Sequence, residues 1–418
     1  MKAFILGGAV AIVLAAGGAY AQEHPEAVAD LLKDPAVKAA VDAAKANEAQ
    51  VVEDQIRFCE VAAPEFKEQA RAAVLQKEFE QLGLRNVRID KMGNVLGERP
   101  GQAPHPHLVM SAHLDTVFPE GTDVKVTRQG SVLHGPGIGD DCRGLGVLIG
   151  IIRSLKQANV TTPGSITFVA DVGEEGLGDL RGMKELFNVT LKGQVDRFVS
   201  IDGTGLSISH TFVGSHRYRV TFKGPGGHSY GAFGLANPAN ALGRAVAKIA
   251  EFQVPKDPKT TFNVGRIGGG TSVNSIPFEA WMEMDMRSLS PAPLQAVDAE
   301  FHKAVDAAVA EENARWGKPG TITVDNKLVG DRPAGSVAAD SPIVRAAIAV
   351  TAIFGTASAA GAGSSDANYP VSLGIPSLDI GGGGHGTGAH SLGEAFDTTD
   401  GYLGTQRATL LTIALAQK

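Results

Sequence analysis

The sequence has few cysteines, no cluster of basic residues and no long apolar run after its first residues. Cys59 and Cys142 are the two cysteines in 418 residues, which excludes a disulfide framework. A single disulfide between them remains an alternative to two free thiols. The formal net charge is -7. Without a Lys/Arg cluster we expect no nucleic-acid partner. We find no internal repeat, and no segment after the first residues has the ~20 apolar residues of a membrane-spanning helix.

The first 21 residues have the pattern of a cleaved signal peptide. Met1 and Lys2 form a short positive region, residues 3–14 are almost wholly apolar or glycine, and residues 19–21 (AYA) match the small-x-small pattern that signal peptidase accepts. This apolar run is too short to span a bilayer. We expect a periplasmic or secreted protein whose mature chain begins near Gln22 and has no stable membrane span. An uncleaved anchor is the alternative.

Strand and helix patterns alternate in two parts of the chain, residues 22–209 and 330–418. This alternation predicts an α/β fold with a mainly parallel sheet and helices on both faces. Residues 210–329 between them have the pattern of a compact α+β insert. In the first part, Ala29 to Val61 has apolar residues at helical spacing, and Val87 to Leu96 reads as a strand.

Metal-binding residue types follow the predicted strands. His113 and Asp115 lie two residues apart after an apolar strand, so their side chains point the same way. Imidazole nitrogen suits zinc, cobalt or manganese. Glu174 and Glu175 follow the next apolar strand, and such an adjacent pair can divide into one ligand and one general base. Taken alone, each motif also fits a surface histidine or solvated loop acids.

Three further motifs complete the pattern. The pair Asp140-Asp141 follows a glycine-rich loop where a helix begins, a position where one of the two could simply cap the helix. Asp202 ends a later strand, and His390 follows a run of glycines with His385 as a nearby competitor. Chance supplies any one of these motifs, but rarely all of them in this order at successive strand ends. Together they predict a metal centre at the edge of the sheet, where open α/β sheets bind ligands.

These motifs, in this order, resemble those of the M20 metallopeptidases. That family includes peptidase T-like and carboxypeptidase G2-like exopeptidases, aminoacylases and related deacylases. The resemblance extends from about Glu53 to the C-terminus. It implies an inserted lid or dimerisation domain at 210–329 within a catalytic domain, and two divalent ions, zinc or else cobalt or manganese.

The resemblance assigns roles to individual residues. Asp140 would bridge the two ions, Glu174 would be the catalytic glutamate and Asp115 the acid that supports the first histidine. The remaining ligands would be His113 and Asp202 for one ion, and Glu175 and His390 for the other. The family also implies a cis peptide bond between Asp140 and Asp141.

One departure from the family pattern follows the bridging aspartate, where Cys142-Arg143 replaces the usual Lys-containing sequence. The spacing from Asp140 to Gly144 is kept, so Asp140 remains the predicted bridge and Asp141 the fallback. A Cys142 thiolate near the metal is a further alternative.

The insert carries the predicted substrate-binding residues. His228, in the sequence KGPGGHS, matches a family histidine that reaches a neighbouring active site, which implies a homodimer through the insert. Asn274 and Arg287 resemble family residues that bind substrate, and arginine can grip a carboxylate with two hydrogen bonds. The plainer readings are a loop histidine for His228 and a pair with Asp285 for Arg287.

The predicted function is two-metal hydrolysis of amide bonds in small peptides, by an exopeptidase of the amino-, di- or tripeptidase or carboxypeptidase type. An N-acyl amino acid amidohydrolase of the same fold is the first alternative. A non-catalytic periplasmic binding protein and a two-metal phosphoesterase are rivals of other classes. The intact ligand set and the Glu174-Glu175 pair favour amide hydrolysis over both.

Overall fold

The computed structural model describes residues 25–316, 321–355 and 361–417. The predicted signal peptide at residues 1–21 lies outside these ranges. No helix in the described ranges has the length and apolar character needed to cross a membrane.

The helices are α1 (Pro25–Leu31), α2 (Pro35–Ala46), α3 (Glu48–Cys59), α4 (Gln69–Leu82), α5 (Cys142–Gln157), α6 (Arg181–Glu185), α7 (Pro238–Ile249), α8 (Pro291–Arg315), α9 (Pro342–Phe354), α10 (Asn368–Ser372) and α11 (Gly401–Leu415). Short 3₁₀ and π turns occupy Gly176–Gly178 and Leu186–Thr190.

The strands are β1 (Arg85–Ile89), β2 (Val95–Arg99), β3 (His107–His113), β4 (Thr127–Gln129), β5 (Val132–His134), β6 (Ser165–Asp171), β7 (Arg197–Ile201), β8 (Ile208–Phe212), β9 (Gly214–Lys223), β10 (Gly227–His228), β11 (Thr260–Gly269), β12 (Ser275–Ile276), β13 (Glu279–Ser288), β14 (Thr323–Arg332), β15 (Gly335–Ser336), β16 (Gly361–Gly363), β17 (Ser377–Ile380), β18 (His385–Thr387) and β19 (Ala395–Asp397).

The large sheet has the strand order β1-β2-β6-β3-β7-β17-β8-β15, and β16 also pairs with β8. Its centre, β6-β3-β7-β17, is parallel. The edges are antiparallel, at β1-β2-β6 on one side and at β17-β8-β15 on the other. The predicted α/β class is confirmed, with a mixed sheet whose parallel part lies at the centre.

Both faces of the central strands are covered, because successive side chains of a strand point to opposite faces. In β3, Leu108 and Met110 pack in the core that contains α5, α9 and α11, whereas Val109 packs with Leu186 and Phe187 on the other side. This two-sided burial explains why these strands read as continuous apolar runs.

The insert forms a separate antiparallel sheet, β11-β13-β9-β14, with α7 and α8 on one face. Along β13 every second residue is buried, among them Met282, Met284 and Met286. The sequence predicts the insert at 210–329, and in the structure its sheet runs from Gly214 to Arg332.

Two predicted elements are wrong in detail. The helical stretch Ala29 to Val61 is three helices, because Asp34 caps α2 by accepting from Ala36 N at 2.7 Å and Pro35 begins a new helix. The strand Val87 to Leu96 is two antiparallel strands. The Asp90 carboxylate accepts three backbone N–H groups in the turn between them, which fixes the reversal.

Candidate metal centre

The candidate ligands meet because their strands are neighbours. The strands β6, β3 and β7 lie side by side and are parallel, so their carboxyl ends share one edge of the sheet. His113 ends β3, Glu175 follows β6 and Asp202 follows β7. Asp140 reaches the same edge from the loop before α5, and His390 comes from the loop between β18 and β19.

The Asp140 carboxylate lies between the two histidines. Its Oδ1 is 3.0 Å from His113 Nε2 and its Oδ2 is 3.1 Å from His390 Nε2. The same His390 nitrogen is 3.2 Å from Glu175 Oε1. One carboxylate therefore offers a separate oxygen to each side, the arrangement required of a bridging ligand.

Two triads of residues each have ligand atoms that lie within 4.8 Å of one another, and Asp140 belongs to both triads. The triads are His113, Asp140 and Asp202, and Asp140, Glu175 and His390. A third group of the same kind contains His113, Glu174 and Glu175. Cys142 belongs to none of these groups among the described residues. The structure thus brings together the residues that the sequence predicts as ligands.

The charges at this edge fit divalent cations. Burial raises the pKa of Glu175 to about 7, and the charges of Glu174 and Asp140 act in the same direction against the hydrogen bond from His390. Burial, followed by the charges of Asp140 and Asp379, raises the pKa of Asp202 well above its usual value. Carboxylates gathered in a buried space repel one another unless cations hold them.

The same carboxylates raise the pKa of both histidines. Hydrogen bonds to Asp140 and Glu175 raise the pKa of His390 to about 10. Burial would lower the pKa of His113, but the hydrogen bond to Asp140 and nearby aspartates raise it well above its usual value. A cation would take the place of these protons, since imidazole binds metal in its neutral form. The donor set of carboxylate oxygen and imidazole nitrogen therefore fits two divalent ions.

Asp115 supports the centre in a different way from the one the resemblance implies. The His113 Nδ1 atom is 3.0 Å from the backbone oxygen of Asp115 and 3.8 Å from its carboxylate. The buried carboxylate instead accepts the backbone N–H groups of Gly173, Glu174 and Glu175 at 2.8, 3.2 and 2.8 Å. Asp115 therefore fixes the histidine ring through its main chain and the Glu174-Glu175 turn through its side chain.

The two adjacent aspartates have different tasks. The Asp141 carboxylate caps α5 by accepting from Gly144 N at 2.9 Å, and it also accepts from His113 N at 3.1 Å. A Cβ at Gly144, in the first turn of α5, would lie 2.2 Å from the Asp141 carboxylate and 2.3 Å from the backbone oxygen of Ile201, so this position requires glycine. The Asp140-Asp141 peptide bond is cis. Asp141 is occupied as a cap, which leaves Asp140 as the candidate bridge.

The residues that depart from the family pattern have structural contacts. Arg143 is buried and donates to the backbone oxygens of Gly382 and Gly401 at 2.8 and 2.6 Å, which ties α5 to α11 and to the glycine-rich loop. Cys142 and Cys59 are free thiols that pack in one apolar cluster. Cys59 Sγ donates to the oxygen of Pro136 at 3.4 Å.

Glu394 is a supporting residue that the sequence does not identify. Its buried carboxylate accepts the backbone N–H groups of Gly137, Gly139 and Asp140 at 2.9, 2.8 and 3.0 Å. These three hydrogen bonds fix the position of the loop that carries Asp140. The sole signal in the sequence is its place four residues after His390.

A cavity of about 530 Å³ opens over the ligands. It is lined by Val117, Asp140, Glu174, Glu175, Gly176, Asp202, Arg217, Arg287, Arg332, Ser364 and His390. Arg332 Nη1 donates to Glu174 Oε1 at 2.7 Å, and both side chains are buried. Arg217 and Arg332 were not among the sequence candidates. Three arginines therefore line the cavity together with its carboxylates.

Two of the three predicted substrate-binding residues lie elsewhere. Arg287 lines the cavity and donates to Asp285 Oδ2 at 2.8 Å. His228 and Asn274 are neighbours in the insert, where Ser229 N donates to the Asn274 oxygen at 2.9 Å. Neither is among the described residues that line the metal cavity of the same chain.

A family model for peptidase family M20/M25/M40 matches residues 109–413. The chain belongs to this family. Among curated relatives of this M20 member, protein YqjE of Bacillus subtilis is 26% identical over 286 residues, covering 64% of this chain and 74% of YqjE. Carboxypeptidase G2 of a Pseudomonas species is 28% identical over 225 residues, covering 51% and 53% of the two chains.

Solved structures share the fold over most of the chain. A tripeptidase from Staphylococcus aureus superposes with a TM-score of 0.74 at 21% identity, covering 89% of this chain and 99% of the tripeptidase. The YxeP protein of Bacillus subtilis, described as a dinuclear metal-binding peptidase of the M20 family, has a TM-score of 0.66 at 18% identity and covers 89% and 99%. The predicted M20 resemblance is confirmed.

Proposed function

We propose that this M20 member is a two-metal exopeptidase that hydrolyses amide bonds in small peptides, with zinc as its metal. The observation that carries the proposal is the Asp140 carboxylate, whose two oxygens face His113 on one side and His390 on the other. His113, Asp140 and Asp202 would hold one ion, and Asp140, Glu175 and His390 the other. Divalent ions at such a site polarise a carbonyl group and acidify water.

Glu174 is our candidate for the residue that moves the proton. Its carboxylate is buried, lines the cavity and belongs to a group with His113 and Glu175. A carboxylate in this position can take a proton from attacking water and pass it to the leaving nitrogen. The Asp115 side chain fixes the backbone of Glu174, and the Arg332 guanidinium holds its Oε1 atom. These two contacts fix the Oε1 atom and leave the other carboxylate oxygen available to accept the proton.

A guanidinium group of the cavity supports a substrate with a free carboxylate. Arg287 lines the cavity, and a guanidinium group can bind a carboxylate with two hydrogen bonds. Peptides with a free C-terminus and N-acyl amino acids both supply that group. An N-acyl amino acid amidohydrolase is therefore the alternative that the same geometry supports.

A substrate panel tests the proposal. The zinc-loaded chain is incubated with dipeptides, tripeptides, N-acyl amino acids and a phosphodiester, and the products are identified by mass spectrometry. We expect peptide cleavage that is absent in Glu174→Gln. Cleavage of N-acyl amino acids alone would select the alternative, and cleavage of the phosphodiester alone would refute amide hydrolysis.

We also propose that the chain is exported and forms a homodimer through its insert. Tyr230, Phe233, Val273 and Phe278 are large apolar side chains that are 60% or more exposed around His228. An apolar patch of this kind is typical of a protein interface. A second copy covering it could bring His228 and Asn274 to the partner's metal cavity.

Mixed dimers test this arrangement. His228→Ala and Glu174→Gln should each be nearly inactive as homodimers, because each lacks one half of the shared site. Verified heterodimers of the two variants should regain activity at one of their two sites. No recovery in those heterodimers, or a monomer at assay concentration, would contradict the shared site.

A further inference from the structure

A second cavity lies next to the metal cavity, against the face of the inserted sheet that α7 and α8 leave uncovered. Its volume is about 490 Å³, and its walls include Leu177 of the catalytic domain and side chains of β9, β11, β13 and β14. Arg217 lines both cavities, while Gly176 lines the first and the adjacent Leu177 the second. The two spaces are therefore neighbours that share the Arg217 side chain.

The wall between the cavities carries a surplus of positive charge. The Asp285 carboxylate is shared by two arginines, since Oδ1 accepts from Arg217 Nε at 2.9 Å and Oδ2 accepts from Arg287 Nε at 2.8 Å. One carboxylate balances one guanidinium group, so this triad has one positive charge in excess. Arg217 Nη1 also donates to the oxygen of Gly176 at 2.9 Å, which fixes the guanidinium group at the junction.

A second triad repeats this pattern among the residues that line the second cavity. The Glu283 carboxylate accepts from Arg219 at 2.8 Å and from Arg266 at 3.1 Å. The Arg219 guanidinium is also 3.4 Å from the centre of the Trp281 ring, a cation–π contact that helps to hold it in place. This triad, too, has one positive charge in excess.

Lys327 on β14 adds a further positive charge. It lines the cavity, pairs in register with Arg219, and has no ion-pair partner among the described residues. Like-charged side chains on neighbouring strands repel one another. An anion in the cavity would relieve that repulsion.

We propose that this second cavity is a subsite for an acidic extension of the substrate, a carboxylate-bearing residue beyond the scissile amide. The inference rests on the proposed function, because it assigns an acidic class of peptide to the same metal site. Surplus positive charge in a partly enclosed space attracts anions, and guanidinium groups match the shape of a carboxylate. Arg217 touches both spaces and is thereby the specificity-determining residue at their junction.

Matched peptides and charge-reversal variants test the subsite. The substrates are tripeptide pairs that differ only by Glu or Gln at one end, prepared for either end. Lys327→Glu reverses the exposed cavity charge, and Lys303→Glu on α8 is the matched control, because Lys303 is also exposed and does not line the cavity. For each protein, kcat/KM is measured with both members of each pair, and the Kd of each peptide is measured by calorimetry on its zinc-loaded Glu174→Gln form, which turns over too slowly to consume the peptide.

We expect the wild type to have a higher kcat/KM and a lower Kd for the Glu peptide than for the Gln peptide in one of the two pairs. Lys327→Glu should reduce kcat/KM for that peptide about fivefold, the effect of an exposed charge worth ~1 kcal/mol, and leave the Gln peptide unchanged. Lys303→Glu should change neither, and the preference should weaken with added salt.

The two proposals fail in different ways. Hydrolysis without any Glu preference, or an equal loss in both lysine variants, would overturn the subsite alone. A Glu preference in Kd without hydrolysis of any peptide would overturn the exopeptidase function and keep the subsite.

Discussion

Replacing Asp115 with asparagine should disrupt the metal centre, although Asp115 is not a candidate ligand. Its carboxylate accepts the backbone N–H groups of Gly173 and Glu174 on Oδ1, and that of Glu175 on Oδ2. An asparagine oxygen can keep the first two hydrogen bonds. The amide nitrogen would then face the Glu175 N–H group, donor against donor.

The expected cost follows from these contacts. A hydrogen bond to a charged acceptor contributes about 1.5–3 kcal/mol, and a buried donor without a partner costs a similar amount. One hydrogen bond is lost and the other two no longer have a charged acceptor, so we expect the free energy of unfolding to fall by about 2–4 kcal/mol. The lost contacts are those of the turn that carries Glu174 and Glu175, where a shift of ~1 Å can reduce turnover about 10²-fold.

The assay compares Asp115→Asn with Asp123→Asn, a variant of an exposed aspartate that accepts the backbone N–H of Lys125. Thermal unfolding, bound zinc by mass spectrometry and kcat/KM on the best panel substrate are measured for both. We expect a lower Tm, less bound zinc and reduced turnover for Asp115→Asn only. Wild-type values on all three measurements would refute the role assigned to the Asp115 side chain.

Three further predictions concern the ligands and the base. Glu174→Gln should keep both zinc ions but lose about 10²–10⁴ in kcat, as expected for a missing general base; full activity in a zinc-replete variant would remove Glu174 from that role. His390→Ala should bind one zinc ion in place of two, because His113 and Asp202 remain at the other position; two ions by native mass spectrometry would contradict the assignment. Zinc affinity should fall as pH decreases through about 7, since Glu175, whose pKa burial raises to about 7, must be deprotonated to bind. Calorimetry in buffers of different ionisation enthalpy should show proton release on zinc binding, partly from His390, whose pKa is about 10; pH-independent affinity from pH 5 to 8 would argue against these ligands.

The sequence predicts that the candidate ligands lie together, because they follow successive strands of one sheet. His113, Glu175 and Asp202 each follow an apolar strand, and neighbouring parallel strands bring their carboxyl ends to one edge. All strands of a parallel sheet end at the same edge whatever their order, so the convergence can be inferred without coordinates.

Contacts between distant parts of the chain could not be inferred in the same way. Glu394 binds the Asp140 loop across 254 residues, and Arg332 binds Glu174 across 158 residues. Both depend on how the insert and the last loops pack on the catalytic domain, which no local pattern encodes. The helix break at Asp34 and the strand break at Asp90 are local features, but the spacing of apolar residues continues across such short caps and turns and so does not indicate them.

We infer that two divalent ions, shared by Asp140, are needed for amide hydrolysis. A titration of metal-free protein with zinc tests this most directly, when bound ions are counted by native mass spectrometry and hydrolysis of the best panel peptide is measured in the same samples. We expect activity to rise with the doubly loaded species and to be lost in Asp140→Asn together with the second ion. Full peptide hydrolysis by metal-free protein, or a doubly loaded protein that hydrolyses no amide in the panel, would contradict it.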